Sequence, residues 1–264
     1  MINQESRYMA STTHSRHSVG NVSASGVAPE TSGANVRTKT KAEPEMPEKP
    51  VKPRMAVFGG AFNPIHNGHL FIAGCLLRLQ LTDEVLFVPA CNPPHKLKAD
   101  LAPDPDRLAM LELIAANHPQ FAVSDIELQR GEEPSYTFDT METFRRVFNE
   151  YELSFVMGMD SLRDLYGWYR AGELVNRFEF IILPRPGARV PSHAELNPHF
   201  GPRNARKLLN SIIDLPETPV AATVVRQHAR NQQCLAGLVD SAVENYILKH
   251  QLYQKADANE SSEE

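Results

Sequence analysis

Short apolar runs alternate with stretches of helical spacing through most of this chain. Residues 55–58 are an apolar run stopped by Gly59 and Gly60, which reads as a buried strand. A helix pattern follows over 68–79, with Ile72, Leu76 and Leu79 on one face. Residues 84–89 read as a second buried strand. A helix follows over 107–117, with Leu108, Leu111 and Ala115 at helical spacing. A third strand is expected at 121–123, with Ile126 and Leu128 beyond it. A helix over 137–149 has Thr137 or Ser135 available as N-cap. Residues 153–158 predict a fourth strand, with Asp160 capping the helix after it, and 178–183 a fifth, ended by Pro184. Residues 186–205 mix Pro, Arg, Asn and His without periodicity and read as a loop. A last short strand at 212–215 and two helices, 223–230 and 235–250, complete the pattern.

Apolar strands alternating with helices call for a parallel sheet covered on both faces. The expected fold is α/β: one doubly wound, Rossmann-like domain with a small helical C-terminal part. It spans 55–253, because the flanks differ in composition. Residues 1–54 contain no Leu, Phe or Trp, and carry eight Lys/Arg against five Glu. Such a segment buries too little apolar surface to offset its ordering entropy and is expected to be disordered. The same holds for the acidic tail, 254–264.

Composition narrows the function classes. Of 264 residues, 42% are hydrophobic and 22% charged, close to ordinary globular usage. The net charge is −5, and the excess of positive charge in 1–54 leaves the rest more acidic still. That argues against nucleic acid as a partner, which calls for clustered positive charge. The three cysteines, Cys75, Cys91 and Cys234, are too scattered for a disulfide framework and fit a reducing compartment. No apolar run approaches the ~18 residues of a membrane span, and the first residues lack the apolar core of a secretory signal. The expectation is a cytoplasmic protein with no membrane partner.

The chemistry concentrates after the first strand, in Gly59-Gly60-Ala61-Phe62-Asn63-Pro64-Ile65-His66-Asn67-Gly68-His69. Ligands of open α/β sheets bind at the carboxyl ends of strands. Two glycines there let backbone N–H groups approach a phosphate, and a helix starting near Gly68 points its positive end at the same place. His66 and His69, three apart, share one face of the first helical turn, so both imidazoles can meet one phosphoryl group. The Gly-Lys-Ser/Thr of a Walker loop and the G-x-G-x-x-G spacing are both absent. A His-x-x-His pair also suits zinc, but the sequence offers no clear third ligand.

These residues resemble the signature of the nucleotidyltransferase superfamily with the His-x-Gly-His motif, and within it the bacterial nicotinate-nucleotide adenylyltransferases. Further blocks extend the resemblance over about residues 55–253: Val88-Pro89 with Pro93-Pro94-His95-Lys96, Ser135-Tyr136-Thr137, Gly158-Met159-Asp160-Ser161-Leu162, Trp168-Tyr169, Arg185-Pro186-Gly187, Thr223-Val224-Val225-Arg226 and Asn245-Tyr246-Ile247. The resemblance implies adenylyl transfer from ATP to nicotinate mononucleotide, with Mg²⁺ carried on the triphosphate and no protein-built metal site. His66 and His69 would be the catalytic pair. Gly59, Gly60, Phe62, Gly68, Gly158, Asp160, Thr223 and Arg226 would join them around ATP. Ala61, Asn63, His95, Lys96, Tyr136, Thr137, Trp168, Tyr169 and Arg185 would surround the mononucleotide, Trp168 stacking on the pyridine ring.

Three positions depart from the family pattern. Ala61 stands where Thr is usual, Asn63 where Asp is usual, and Ala221 where a Ser hydroxyl is expected near the ATP phosphates. One lost neutral hydrogen bond costs about 0.5–1.5 kcal/mol, which weakens ATP binding without abolishing it. The alternatives are a transferase using nicotinamide mononucleotide or another phosphate acceptor, and a nucleotide-binding protein that has lost catalysis.

Because residues 1–52 have almost nothing to bury, deleting them is expected to leave both melting temperature and turnover unchanged. A drop of more than a few degrees in a thermal melt would show instead that the segment docks on the core.

Overall fold

Val, Ile, Leu, Met and Phe fill the strands so continuously that both faces must be covered, and they are. A computed structural model of the chain describes residues 52–91, 101–131, 135–185, 187–216 and 220–254. The expected disorder of 1–51 and of 255–264 falls outside the described residues. Five strands, β1 (Arg54–Gly60), β2 (Glu84–Pro89), β3 (Phe121–Val123), β4 (Glu152–Gly158) and β5 (Glu179–Leu183), form one sheet in the order β3-β2-β1-β4-β5. Every pairing is parallel. The helices among the described residues are α1 (Asn67–Arg78), α2 (Asp104–Asn117), α3 (Thr137–Val147), α4 (Met159–Asp164), α5 (Ala171–Arg177), α6 (His193–Asn210), α7 (Ala222–Arg230) and α8 (Ser241–Lys249). This is the doubly wound α/β architecture expected from the pattern. The strand order reverses between β1 and β4, and that switch point opens a crevice at the strands' carboxyl ends.

Alternate strand residues project to opposite faces. Ala56, Phe58, Val85, Phe87, Val156 and Ile181 pack with Leu76 of α1, Met110, Leu111 and Ile114 of α2, Val225 of α7, and Val243 and Ile247 of α8. The helical C-terminal part is therefore a structural wall of this face. Met55, Val57, Leu86, Phe155 and Ile182 from the other side of the strands are buried too.

The structure corrects several expectations. β1 begins at Arg54, inside the segment assigned to the extension. Ladder bonds need no apolar side chain: the Glu152 amide donates to Pro53 O at 2.8 Å and the Asp83 amide to Arg54 O at 2.9 Å. Lys52 Nζ also donates to Asn149 O, an exposed bond that a deletion through residue 52 would remove. The buried stripe of α2 runs through Arg107, Met110, Leu111 and Ile114, with Leu108 and Ala115 only half-buried. In α1, Leu79 is exposed, and Gly68, Ala73, Cys75 and Leu76 face inward. Cys91, on the loop after β2, is buried. At 212–215 there is a single bridge, Ile182 to Ile212, in place of a strand. Residues 235–240 turn before α8 begins at Ser241.

The largest departure is α6, where a loop was expected over 186–205. Pro198, Gly201 and Pro202 hide its period, and Gly201 (φ 77°) kinks it. Its start was nevertheless written in the sequence as Ser192-x-x-Glu195. The Glu195 amide donates to Ser192 Oγ, and the Ser192 amide to Glu195 Oε2 at 2.8 Å. Hydrogen bonds from Arg189 and from Ser192 hold the Glu195 carboxyl down at about 2.

Ser192→Ala removes one half of this reciprocal cap and is expected to cost about 1 kcal/mol. In a domain of this size that corresponds to a fall of about 2–4 °C in a calorimetric melt; an unchanged melt would show that the cap contributes nothing.

Candidate active site at the switch point

The first crossover builds the centre of the site. Gly60 ends β1, and an added Cβ there would stand 3.2 Å from the Phe62 ring. Phe62 itself sits at φ 42°, in the left-handed region, with its ring 2% exposed. That ring meets Phe58, Phe87 and His69 edge to face, the last at 5.0 Å between centroids. Phe62 thus offers a nucleotide only its backbone, while its side chain forms the floor under His69.

His66 is the N-cap residue of α1 and His69 the third residue of the helix. Their rings stack at 3.8 Å and 23°. The His66 amide donates to His69 Nδ1 at 3.3 Å. A ring nitrogen that accepts carries no proton, so this bond places the proton of neutral His69 on Nε2, where it can be donated to an oxyanion. His66 is 7% exposed. The pair is brought together as the spacing implied, with His66 at the cap position and His69 in the first turn.

Gly68 is required by a different neighbour. A Cβ there would lie 2.8 Å from the backbone oxygen of Val220 and 2.9 Å from His66 Nδ1. Val220 precedes α7, so the N-termini of α1 and α7 converge on one spot. Ala221 is the N-cap of α7 and makes no side-chain cap bond, the local result of the missing Ser hydroxyl. Thr223 is exposed on the first turn. Arg226 donates to Asn63 O at 2.9 Å and approaches Thr223 Oγ1 at 3.5 Å. Helix N-termini with a hydroxyl and a guanidinium alongside are suited to an anion.

Asn63 and Ala61 take structural roles. Asn63 is 2% exposed, and its Oδ1 accepts from the Ala102 amide at 2.9 Å. A carboxamide satisfies that bond without burying a charge, so Asn in place of Asp is well tolerated. The Ala61 carbonyl accepts from Arg107 Nη1 at 2.6 Å.

Arg107 was missed by the sequence reading. It is wholly buried and also bonds Ala90 O at 2.8 Å and Asp104 Oδ1 at 2.5 Å. It therefore ties the loop after β1 to the loop after β2. The available signal was a cation in register with Met110, Leu111 and Ile114 on the inward stripe of α2.

On the other side of the switch point, Gly158 is the N-cap of α4, and Asp160 lies inside its first turn. Asp160 does not cap that helix. It pairs with Arg185, which follows β5; both side chains are largely exposed. Two residues assigned to opposite ends of the ligand pair are thus partners across the ends of β4 and β5. Trp168 is half-buried, edge to face with Phe155 at 6.1 Å. The Phe155 ring in turn lies 3.4 Å from where a Gly59 Cβ would be, so Gly59 gives space to the aromatic side of the site. Tyr169 and Tyr136 are exposed and contact each other at 4.5 Å. Tyr136 is the N-cap of α3, without a side-chain cap bond, and Thr137 is the first helical residue; neither Thr137 nor Ser135 caps the helix. His95 and Lys96 lie outside the described residues.

Comparison with known proteins gives the family and the fold. The cytidylyltransferase-like family matches residues 57–230. A protein of Synechococcus sp. (strain JA-3-3Ab), named probable nicotinate-nucleotide adenylyltransferase, is 37% identical over 209 residues, 78% of this chain and 98% of the relative. Its namesake in Carboxydothermus hydrogenoformans is 34% identical over 201 residues, 76% of this chain and 98% of the relative. Among solved structures, the nicotinic acid mononucleotide adenylyltransferase of Plasmodium falciparum, complexed with NaAD, shares the fold. It has a TM-score of 0.60 at 20% identity and covers 76% of this chain and 97% of its own.

His66→Ala and His69→Ala are each expected to leave the fold intact and to lower kcat about a hundredfold or more, the scale of a lost transition-state contact. Near-normal turnover in both variants, measured as pyrophosphate release, would remove the pair from the mechanism.

Proposed function

The chain belongs to the nicotinate-nucleotide adenylyltransferases of the cytidylyltransferase-like family, and on that premise we propose how its site performs the reaction. It transfers the adenylyl group of ATP to nicotinate mononucleotide, giving nicotinate adenine dinucleotide and pyrophosphate in NAD biosynthesis. The observation that carries the assignment of residues is the stacked His66–His69 pair at the convergence of two helix N-termini.

An oxygen of the mononucleotide phosphate attacks the α-phosphorus of ATP in line. The new bond joins that oxygen to the α-phosphorus, and the bond from the α-phosphorus to the bridging oxygen of the β-phosphate breaks. Such chemistry asks for positioning and charge neutralisation. His69 Nε2–H donates to an oxygen of the transferred phosphoryl group, with its orientation fixed by the His66 amide. His66 lies against it and contacts the same phosphates. Thr223, Arg226 and the first amides of α7 hold the β- and γ-phosphates. Arg226 then exchanges its bond to Asn63 O for the triphosphate.

Gly158 and Asp160 receive the adenosine, the Asp160 carboxylate accepting from ribose hydroxyls. Its ion pair with Arg185 opens as it does so. Trp168 stacks on the pyridine ring, with Tyr136, Thr137 and Tyr169 around the nicotinate carboxylate and Arg185 adding positive potential; His95 and Lys96 meet the mononucleotide phosphate. Among the described residues no group of three or more His, Cys, Asp or Glu could hold a metal ion. Mg²⁺ would be carried on the triphosphate, held by phosphate oxygens and water, and would supply neutralisation of phosphate charge. No helix among the described residues is long and apolar enough to cross a membrane, and we place the enzyme in the cytoplasm.

The acid is preferred over the amide on this reading. A carboxylate accepts from every donor at the start of α3, whereas an amide turns its NH₂ toward one of them and leaves a buried donor unpaired, at about 1–3 kcal/mol. We expect at least a tenfold preference in kcat/KM for nicotinate over nicotinamide mononucleotide at saturating Mg-ATP, about 1.4 kcal/mol. Trp168→Ala should weaken both acceptors alike. Equal values in the unaltered enzyme would overturn the acid assignment and leave adenylyl transfer standing.

A further inference from the structure

We propose that Glu127 and Arg130 set the preference for acid over amide, as positioning residues that fix the charge beneath the first turn of α3. The inference rests on the placement of the nicotinate carboxylate at Tyr136 and Thr137.

Glu127 leads into a short 3₁₀ turn, Leu128–Arg130, that packs under α3. The contact is made through Thr140, which is 3% exposed. Thr140 lies three residues after Thr137, on the same helix face. Its hydroxyl donates to Glu127 Oε1 at 3.0 Å and accepts from Arg130 Nη1 at 2.9 Å. One hydroxyl thus joins a carboxyl to a guanidinium. The turn is anchored from both sides: Cys91 Sγ donates to Gly131 O at 2.9 Å, and Ser135 Oγ approaches Glu127 O at 3.5 Å.

Burial raises the affinity of the Glu127 carboxyl for a proton, and the Thr140 hydroxyl and the Arg130 charge pull it back toward ionisation. Glu127 is half-buried, and Arg130 is the cation that offsets its charge. An uncompensated carboxylate one helical turn below the ligand repels a nicotinate carboxylate and leaves a neutral carboxamide untouched. The arrangement therefore acts on the difference between the two acceptors, which is what specificity requires. Neither residue belongs to the triphosphate side of the site, so ATP should not register their loss.

The test compares kcat/KM for nicotinate and nicotinamide mononucleotides, with KM for ATP, in the unaltered enzyme and four variants. Arg130→Met should lower the acid-to-amide ratio threefold or more, by slowing the acid alone. Arg130→Lys keeps the charge and should keep the ratio. Glu127→Gln still accepts from Thr140 and should hold or raise the ratio. The double variant Glu127→Gln/Arg130→Met should return the ratio toward that of the unaltered enzyme, and ATP KM should stay within twofold throughout. If Arg130→Met does not fold, Arg130→Gln carries the same comparison. An unchanged ratio in Arg130→Met, equal losses for both acceptors, or no recovery in the double variant overturns the proposal. An unaltered enzyme that turns over neither mononucleotide overturns the reading beneath it as well; one that prefers the acid while every variant shares its ratio sinks this proposal alone.

Discussion

A guanidinium with no access to solvent holds the crevice in shape. Arg107 reaches from α2 into the sheet's carboxyl end and ends on two backbone carbonyls, Ala61 O and Ala90 O, with Asp104 as its counter-charge. Burying a cation is costly unless it is paired and hydrogen-bonded. Here the acceptors are themselves irregular: each carbonyl lies just past a strand, where the ladder no longer supplies a donor. One side chain thus settles the hydrogen-bonding needs of two loops and fixes their separation. The loop after β1 carries the histidines, and that after β2 leads toward His95 and Lys96. On the far side, Arg226 holds Asn63 O, so the short stretch from Ala61 to Asn63 is gripped from two directions. A left-handed Phe62 between these anchors is tolerable because its ring gains a full set of aromatic neighbours.

The same economy explains the motif's composition. His66 caps a helix, His69 is aimed by its neighbour's amide, Gly68 makes room for the backbone ahead of α7, and Gly59 makes room for Phe155. Several of these roles belong to the fold alone. The Asn67 side chain bonds Gly237 O and its amide bonds Leu238 O, contacts that serve the fold. A pattern this dense in mutually dependent roles leaves little freedom for substitution.

The strands and most helices were legible because burial on both faces leaves long apolar runs and clear helical spacing. What escaped follows from interactions that composition does not display. α6 was read as a loop because Pro198, Gly201 and Pro202 interrupt its period, although the Ser192–Glu195 box marked its start. Arg54 looked like the end of a polar arm, yet its backbone belongs to the sheet. Arg107 was overlooked because a charge on an apolar stripe reads as noise until its carbonyl partners are known. Asp160 and Arg185 were assigned singly, since nothing in their spacing reveals that β4 and β5 end side by side.

The contacts around Gly68 also bear on how the chain acquires its site during synthesis. All five strands are complete by Leu183, so the sheet can form before the residues that follow it have emerged. The surroundings of the loop after β1 cannot be completed then. Its neighbours Val220, Arg226, Gly237 and Leu238 all follow β5 in the chain, and α7 and α8 close one face of the core. A nascent chain that has made only the sheet therefore lacks the contacts that shape this loop. Completion of that loop and closure of that face arrive together, so a ligand held there can stabilise only chains that have both.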